Sequence, residues 1–191
     1  MNINAEKGFK QHKNLKESNT LTDCPYYPEI DKLTIIEKGG NITNNTIYSC
    51  GKDFTEEIYS QNCRLLIFSC NFSNIMINTM AAVYLNSKSD SMFKDSENII
   101  YNCKFIGCIG NAGAIYINGD TWTKINVTNC LFQNNKGSDN SGCMELDCSY
   151  GIIQNCIFIN NTANFGSQIS IYKQNKLNNT DNMCFIISDN S

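Results

Sequence analysis

One tripeptide recurs along this chain at nearly constant spacing, and it leaves few folds open. Cys-x-Phe appears at Cys70–Phe72, Cys103–Phe105, Cys130–Phe132 and Cys156–Phe158, at intervals of 33, 27 and 26 residues. Asn precedes three of the four cysteines, as Asn102, Asn129 and Asn155, and Ser69 precedes the other. Three residues before each Cys stands an aliphatic side chain: Ile67, Ile100, Val127 and Ile153. Inward positions of a strand recur every two residues, so an inward aliphatic and an inward Cys three apart require a bend between them. Asn is the non-glycine residue that best tolerates left-handed backbone geometry, and its amide can bond to the next layer. The pattern predicts an Asn column at one corner, with Cys70, Cys103, Cys130 and Cys156 in one inward file and Phe72, Phe105, Phe132 and Phe158 in another.

A second motif follows each copy of the first: Met80–Leu85, Ala112–Ile117, Ser141–Leu146 and Gly166–Ile171. Alternation points Val83, Ile115, Met144 and Ile169 inward, with Leu85, Ile117, Leu146 and Ile171. Small residues (Ala81, Gly113, Gly142, Ser167) take the preceding inward slot. Tyr84, Tyr116, Glu145 and Ser170 face outward. Short strands, a near-constant period and no helical 3.6-residue pattern predict an all-β right-handed parallel β-helix, a solenoid of about 4–6 coils rising about 4.8 Å each. Leu33–Ile36 and Ile47–Cys50 read as strands of degenerate first coils, and Met183–Ile187 as the start of another. The chain divides into a polar N-terminal tail or cap (1–23), degenerate first coils (24–62) and β-helix coils (63–191), whose uncapped last turn reads as truncated.

Composition narrows the function classes. In 191 residues there are 30 Asn and 25 Ile against 2 Pro and one Arg, Arg64, which suits many Asn corners joined by short Ile-rich strands. A net charge of -3 gives no electrostatic reason to expect nucleic acid. No run approaches the roughly 18 apolar residues of a membrane span, and the first twenty residues lack the apolar centre of a secretory signal. Lys7, Lys10, Lys13 and Lys16 recur there every third residue and read as a solvated tail.

Asn-Cys-x-Phe, then Asn-Asn-x-Ala, then a Gly-Gly-Ala-Ile-like segment resembles the repeat of polymorphic outer-membrane-type proteins. Asn102 to Ile117 and Asn155 to Ile171 carry the resemblance best, with Asn160-Asn161-Thr162-Ala163 in the middle of the latter. Ser69 replaces the Asn of one copy, and Gly166-Ser167-Gln168-Ile169 departs from the Gly-Gly-Ala-Ile form of another. The resemblance spans roughly residues 64–187. It implies an extracellular or cell-surface scaffold, with glycans or host and cell-surface proteins as partners, and it names no ligand.

Eleven cysteines invite metal or disulfide chemistry. There is no Cys-x-x-Cys pair and the sole His is His12, outside the repeats, so neither a metal site nor a cofactor is expected. Neighbours in the cysteine ladder fall within disulfide reach, although a buried thiol more often serves as a small hydrophobe. An odd total leaves at least one thiol free or paired with another chain. Six sequons (Asn41, Asn44, Asn71, Asn126, Asn160, Asn178) are about as many as this composition yields by chance.

Catalytic apparatus is thin. Asp139, Glu145 and Asp147 form the best carboxylate group, which could serve glycoside hydrolysis or simply face water. Arg64 stands without acidic partners in sequence, Asn179-Thr180-Asp181 is one fragment of a polygalacturonase pattern, and a nucleophilic triad is excluded for want of a second His. Tyr84 and Tyr116 should stack on an outer face with Trp122 at the following turn, a surface suited to a sugar ring or partner side chain, or to stability alone. Asn86, Asn118 and Asp147 should align beside them. The expected function is a non-enzymatic scaffold working by adhesion or interaction. The alternatives are a carbohydrate-active β-helix enzyme, of lyase or hydrolase type, and a gene fragment with no independent role.

Overall fold

The corners determine the architecture. In the computed structural model, which describes residues 24–25, 33–78, 80–87, 91–93, 96–119, 123–139, 141–148, 150–165, 167–172 and 184–188, nine non-glycine residues have positive φ. Eight of the nine are Asn. Ser69, Asn102, Asn129 and Asn155 (φ 51 to 57) form the predicted corner file, which Gly51 (φ 62) extends by one layer. A second left-handed file, Asn74, Gly107, Asn134 and Asn160, turns the chain two residues after each phenylalanine. These residues adopt the left-handed well at low steric cost, so each ends a strand and redirects the chain.

Between the corners lie short strands, all paired in parallel in four sheets, so the protein is an all-β parallel solenoid. The first sheet stacks Leu33–Ile35, Thr46–Cys50, Arg64–Phe68, Glu97–Tyr101, Lys124–Thr128, Tyr150–Gln154 and Cys184–Ser188. Around the corner the second stacks Asp53–Phe54, Asn71–Ser73, Lys104–Ile106, Leu131–Gln133 and Ile157–Ile159. The third is small: Ile109–Gly110, Lys136–Gly137 and Thr162–Ala163. Gly40–Thr43, Ile58–Gln61, Val83–Asn86, Ile115–Asn118, Ser141–Asp147 and Ser167–Tyr172 make the fourth. The expected strands at 33–36, 47–50 and 183–187 are present as Leu33–Ile35, Thr46–Cys50 and Cys184–Ser188.

Coil length is uneven. Paired residues of the first sheet are 13 positions apart between Leu33 and Thr46 and 18 between Thr46 and Arg64. The separation jumps to 33 between Leu66 and Ile99, then settles at 27 between Ile99 and Asn126 and 26 between Asn126 and Ile152. The first turns are therefore shortcuts, and the jump between the 18- and 33-residue turns leaves a step in the outer surface.

Files of like side chains hold the interior together. Phe72, Phe105, Phe132 and Phe158 form a single stack with ring centroids 4.7, 5.1 and 5.1 Å apart and interplanar angles of 2–8°. Phe54, which lacks the Cys two positions before it, extends the stack at 4.8 Å. The ring spacing matches the interstrand distance, so each phenyl contacts its neighbours face to face at no cost in backbone geometry. Burying such a side chain contributes about 1.5–3 kcal/mol before entropy is counted. Val83, Ile115 and Met144, with Leu85, Ile117 and Leu146, are fully buried as alternation requires.

The register corrects one alignment. Ser167 pairs with Ser141, not Gly142, and pairing resumes at Met144 with Ile169. One extra residue is thus accommodated at Gly142–Cys143, a bulge that puts Cys143 in the core. The small-residue slot is nevertheless real. At Gly113 (φ +68) a Cβ would lie 2.2 Å from the Gly142 carbonyl oxygen.

Candidate functional site: the tyrosine face

The outer surface of the fourth sheet concentrates side chains with recognition chemistry. Its register places Tyr59, Tyr84, Tyr116, Glu145 and Ser170 in one outward file. Gln61, Asn86, Asn118, Asp147 and Tyr172 form a second, two residues farther along each strand. Tyr84 and Tyr116 stack at 5.5 Å with an interplanar angle of 19°, and Tyr59 leans on Tyr84 at 4.6 Å and 32°. Gln61 Nε2 donates to the Tyr59 hydroxyl at 3.1 Å, so the aromatic and amide files are linked at that end.

Tyr84 differs from its expected exposure. Only 5% of it reaches solvent, because a tyrosine ring lies against each of its faces. The surface available to a partner is carried by Tyr59 and Tyr116, both half-buried. Trp122 lies outside the described residues, as do His12, Asn178–Asp181 and the lysines at 7, 10, 13 and 16. Tyr59, Gln61 and Phe54 went unrecognised in the sequence because the 18-residue turn breaks the repeat interval. Ile58-Tyr59-Ser60-Gln61 does echo Val83-Tyr84-Leu85-Asn86, and that echo was the available signal.

The electrostatics of this face follow from burial next to acids. Tyr116 is pushed up to about 12, first by burial and then by the negative charge of Glu145. Burial also raises the Glu145 carboxyl, with Asp139 and Asp147 adding like-charge repulsion, so the carboxylate trio read from the sequence does come together. A carboxyl with a raised folded-state pKa binds its proton more tightly when native. Its contribution to stability is therefore most favourable at acid pH and declines as pH rises from the ordinary carboxylate range through the raised value. Glu145→Gln should raise the melting midpoint by about 1–2 °C near pH 7, a small gain because solvent screens a half-exposed group. That gain should vanish below about pH 4, where Glu145 is protonated. Thermal melts at the two pH values check this, and an equal gain at both would refute the charge explanation.

The thiols divide into two kinds. Cys24 and Cys50 form a disulfide that fastens residues 24–25 to the first sheet, where the Tyr48 hydroxyl also donates to the Pro25 carbonyl at 3.1 Å. Among the described residues eight others are free and buried, including the predicted file Cys70, Cys103, Cys130 and Cys156. Within that file the Cys70 amide donates to Cys103 Sγ at 3.5 Å and the Cys103 amide to Cys130 Sγ at 3.4 Å. Cys103 Sγ, Cys130 Sγ and Cys156 Sγ donate to the carbonyls of Ile67, Ile100 and Val127, the aliphatic residues of the sequence motif. Burial raises Cys103, and burial pushes Cys108 up to about 11. These thiols pack as small hydrophobes with satisfied polar ends. Among the described residues no group of three or more His, Cys, Asp and Glu side chains could hold a metal ion.

No protein-family model, curated protein or solved structure matches the chain. The fold therefore stands on its own register and packing, and the resemblance to polymorphic outer-membrane-type repeats gains no support from relatives. No helix among the described residues is long and apolar enough to cross a membrane.

Proposed function

We propose that this chain is a non-enzymatic β-solenoid scaffold of a surface or secreted protein, acting by adhesion or interaction. The supporting observation is the ordered outer face of the fourth sheet, where Tyr59, Tyr84 and Tyr116 stack beside Gln61, Asn86, Asn118 and Asp147. A flat row of rings next to a row of amide and carboxylate groups offers both the stacking and the hydrogen bonding by which sugar rings and partner side chains are recognised. The Cys24–Cys50 disulfide supports an oxidising compartment.

A glycan array and cell-binding assay with the folded full-length chain test this reading. Tyr116→Ala is expected to lower bound signal at least about tenfold, the scale of one lost stacking platform. Absence of binding by well-folded protein on every surface would count against adhesion. The carbohydrate-active alternative is favoured by one observation, the raised Glu145 carboxyl between Asp139 and Asp147. Turnover of acidic polysaccharides that is lost in Asp147→Ala would establish it in place of the scaffold.

A further inference from the structure

The step between short and long turns makes a second feature, which adjoins the tyrosine face and shares Tyr59 with it. In the short turn only residues 55–57 separate Asp53–Phe54 from Ile58–Gln61, whereas in the next turn residues 74–82 separate Asn71–Ser73 from Val83–Asn86. Where the longer connection lies beside the shorter there is an open cleft of about 450 Å³, lined by Glu56, Glu57, Tyr59, Met76, Ile77 and Asn78 among others. That volume falls within the usual range of binding clefts.

The third sheet stops at this cleft. Met76 bridges Ile109 in parallel, with the Ile109 amide donating to the Ile75 carbonyl at 2.8 Å and the Ile77 amide to the Ile109 carbonyl at 2.8 Å. In a parallel ladder those two bonds direct the neighbours of Met76 toward Ile109 and turn the N–H and C=O of Met76 to the opposite side. On that side the 18-residue turn has no strand of the third sheet to receive them. Met76 as a whole residue is 80% exposed, so the edge is reachable. An open edge accepts an added extended strand. The lining supplies the two carboxylates of Glu56 and Glu57 and no Lys or Arg, together with the Tyr59 ring, so a cationic side chain suits it.

The geometry points to a docking cleft for an extended, lysine-bearing peptide segment of a partner protein, which pairs with the backbone of Met76 as an added strand of the third sheet and places a lysine against Glu56 and Glu57. The probe is a fluorescein-labelled heptapeptide of alternating lysine and valine, read by anisotropy against the full-length chain, with an alternating glutamate–valine peptide as control. Expected results are at least about tenfold tighter binding of the lysine peptide and a loss of about fivefold or more in Glu56→Gln. Met76→Pro removes the outward N–H but none of the bonds to Ile109, and should cut binding at least about tenfold while circular dichroism stays unchanged. If that variant does not fold, Glu56→Gln carries the decision. Equal binding of the two peptides, or undiminished binding in whichever of the two variants is folded and decides, overturns the assignment. So does loss of peptide binding in Tyr116→Ala, which would move the peptide to the tyrosine face. A glycan signal that disappears in Glu56→Gln without any peptide binding would place a sugar in the cleft and likewise overturn it. Peptide and glycan readouts are separate, so this inference and the tyrosine-face reading fail independently.

Discussion

Phe105→Ala is expected to lower the unfolding free energy by about 3–5 kcal/mol, enough to drop the melting midpoint by about 10 °C or more. The ring is fully buried and stacked on both faces, 4.7 Å from Phe72 and 5.1 Å from Phe132. Truncation removes two aromatic contacts of about 0.5–1.5 kcal/mol each beyond area burial. It also opens a cavity that the flanking coils cannot close, because parallel backbone pairing with Asn71–Ser73 and Leu131–Gln133 fixes their spacing. Phe158→Ala supplies the internal comparison. Its ring has one documented stacking partner, Phe132, and is partly exposed, so about 1–2 kcal/mol is expected. Urea titration of both variants measures the difference. Equal losses would mean that the file is not the source of stability, since a continuous stack must be most sensitive where a ring has two neighbours.

Periodicity made the fold legible before any coordinates. Cys-x-Phe recurs because each turn must offer a thiol and a phenyl to the same two interior files, and the structure stacks Phe72, Phe105, Phe132 and Phe158 as that requires. The outward pairing of Tyr84 with Tyr116 was legible for the same reason. Three things were not. Tyr59 and Phe54 sit in an 18-residue turn, where the interval that marks a copy is lost. The bulge at Gly142–Cys143 left the alternation downstream intact, so nothing in the pattern revealed that Ser167 pairs one residue earlier than counting suggests. The disulfide between Cys24 and Cys50 joins a segment outside the repeat to its first sheet, and only proximity in three dimensions could disclose it. The cleft at Met76 had no sequence signature either, since it arises from a difference in length between two turns.

The most conspicuous asparagines are not the ones on which stability should depend most. Asn129 and Asn155 belong to the motif, yet both are exposed, and their service is a left-handed backbone that glycine supplies equally well. Asn135 precedes no cysteine, is 1% exposed, and reaches through the interior with both ends of its amide. Its Oδ1 accepts from the Cys108 amide at 2.9 Å, while its Nδ2 donates to the Phe105 carbonyl and to Asn161 Oδ1, each at 3.0 Å. Asn161 repeats the pattern one turn on, its Nδ2 donating to the Phe132 carbonyl at 2.9 Å and its Oδ1 accepting from the Asn135 amide at 2.9 Å. In the preceding turn the Cys108 thiol takes the same role toward the Phe72 carbonyl at 3.6 Å. This ladder satisfies the Cys108 and Asn135 N–H groups, which the bend takes out of the strand pairing, and adds a second donor to phenylalanine carbonyls already paired in the second sheet. Asn135→Ala strands the Cys108 N–H in a dry core and removes the second donor to the Phe105 carbonyl, which keeps its ladder bond, for a loss of about 1–3 kcal/mol. Asn129→Gly, at φ 57, should change stability by less than about 0.5 kcal/mol, because relief of left-handed strain and added unfolded-state freedom oppose each other. Denaturant unfolding of the pair, with hydrogen exchange at the Cys108 amide, decides the matter. Should Asn129→Gly prove the more damaging, or the Cys108 amide stay protected in Asn135→Ala, the interior ladder would not be what holds the second corner in place.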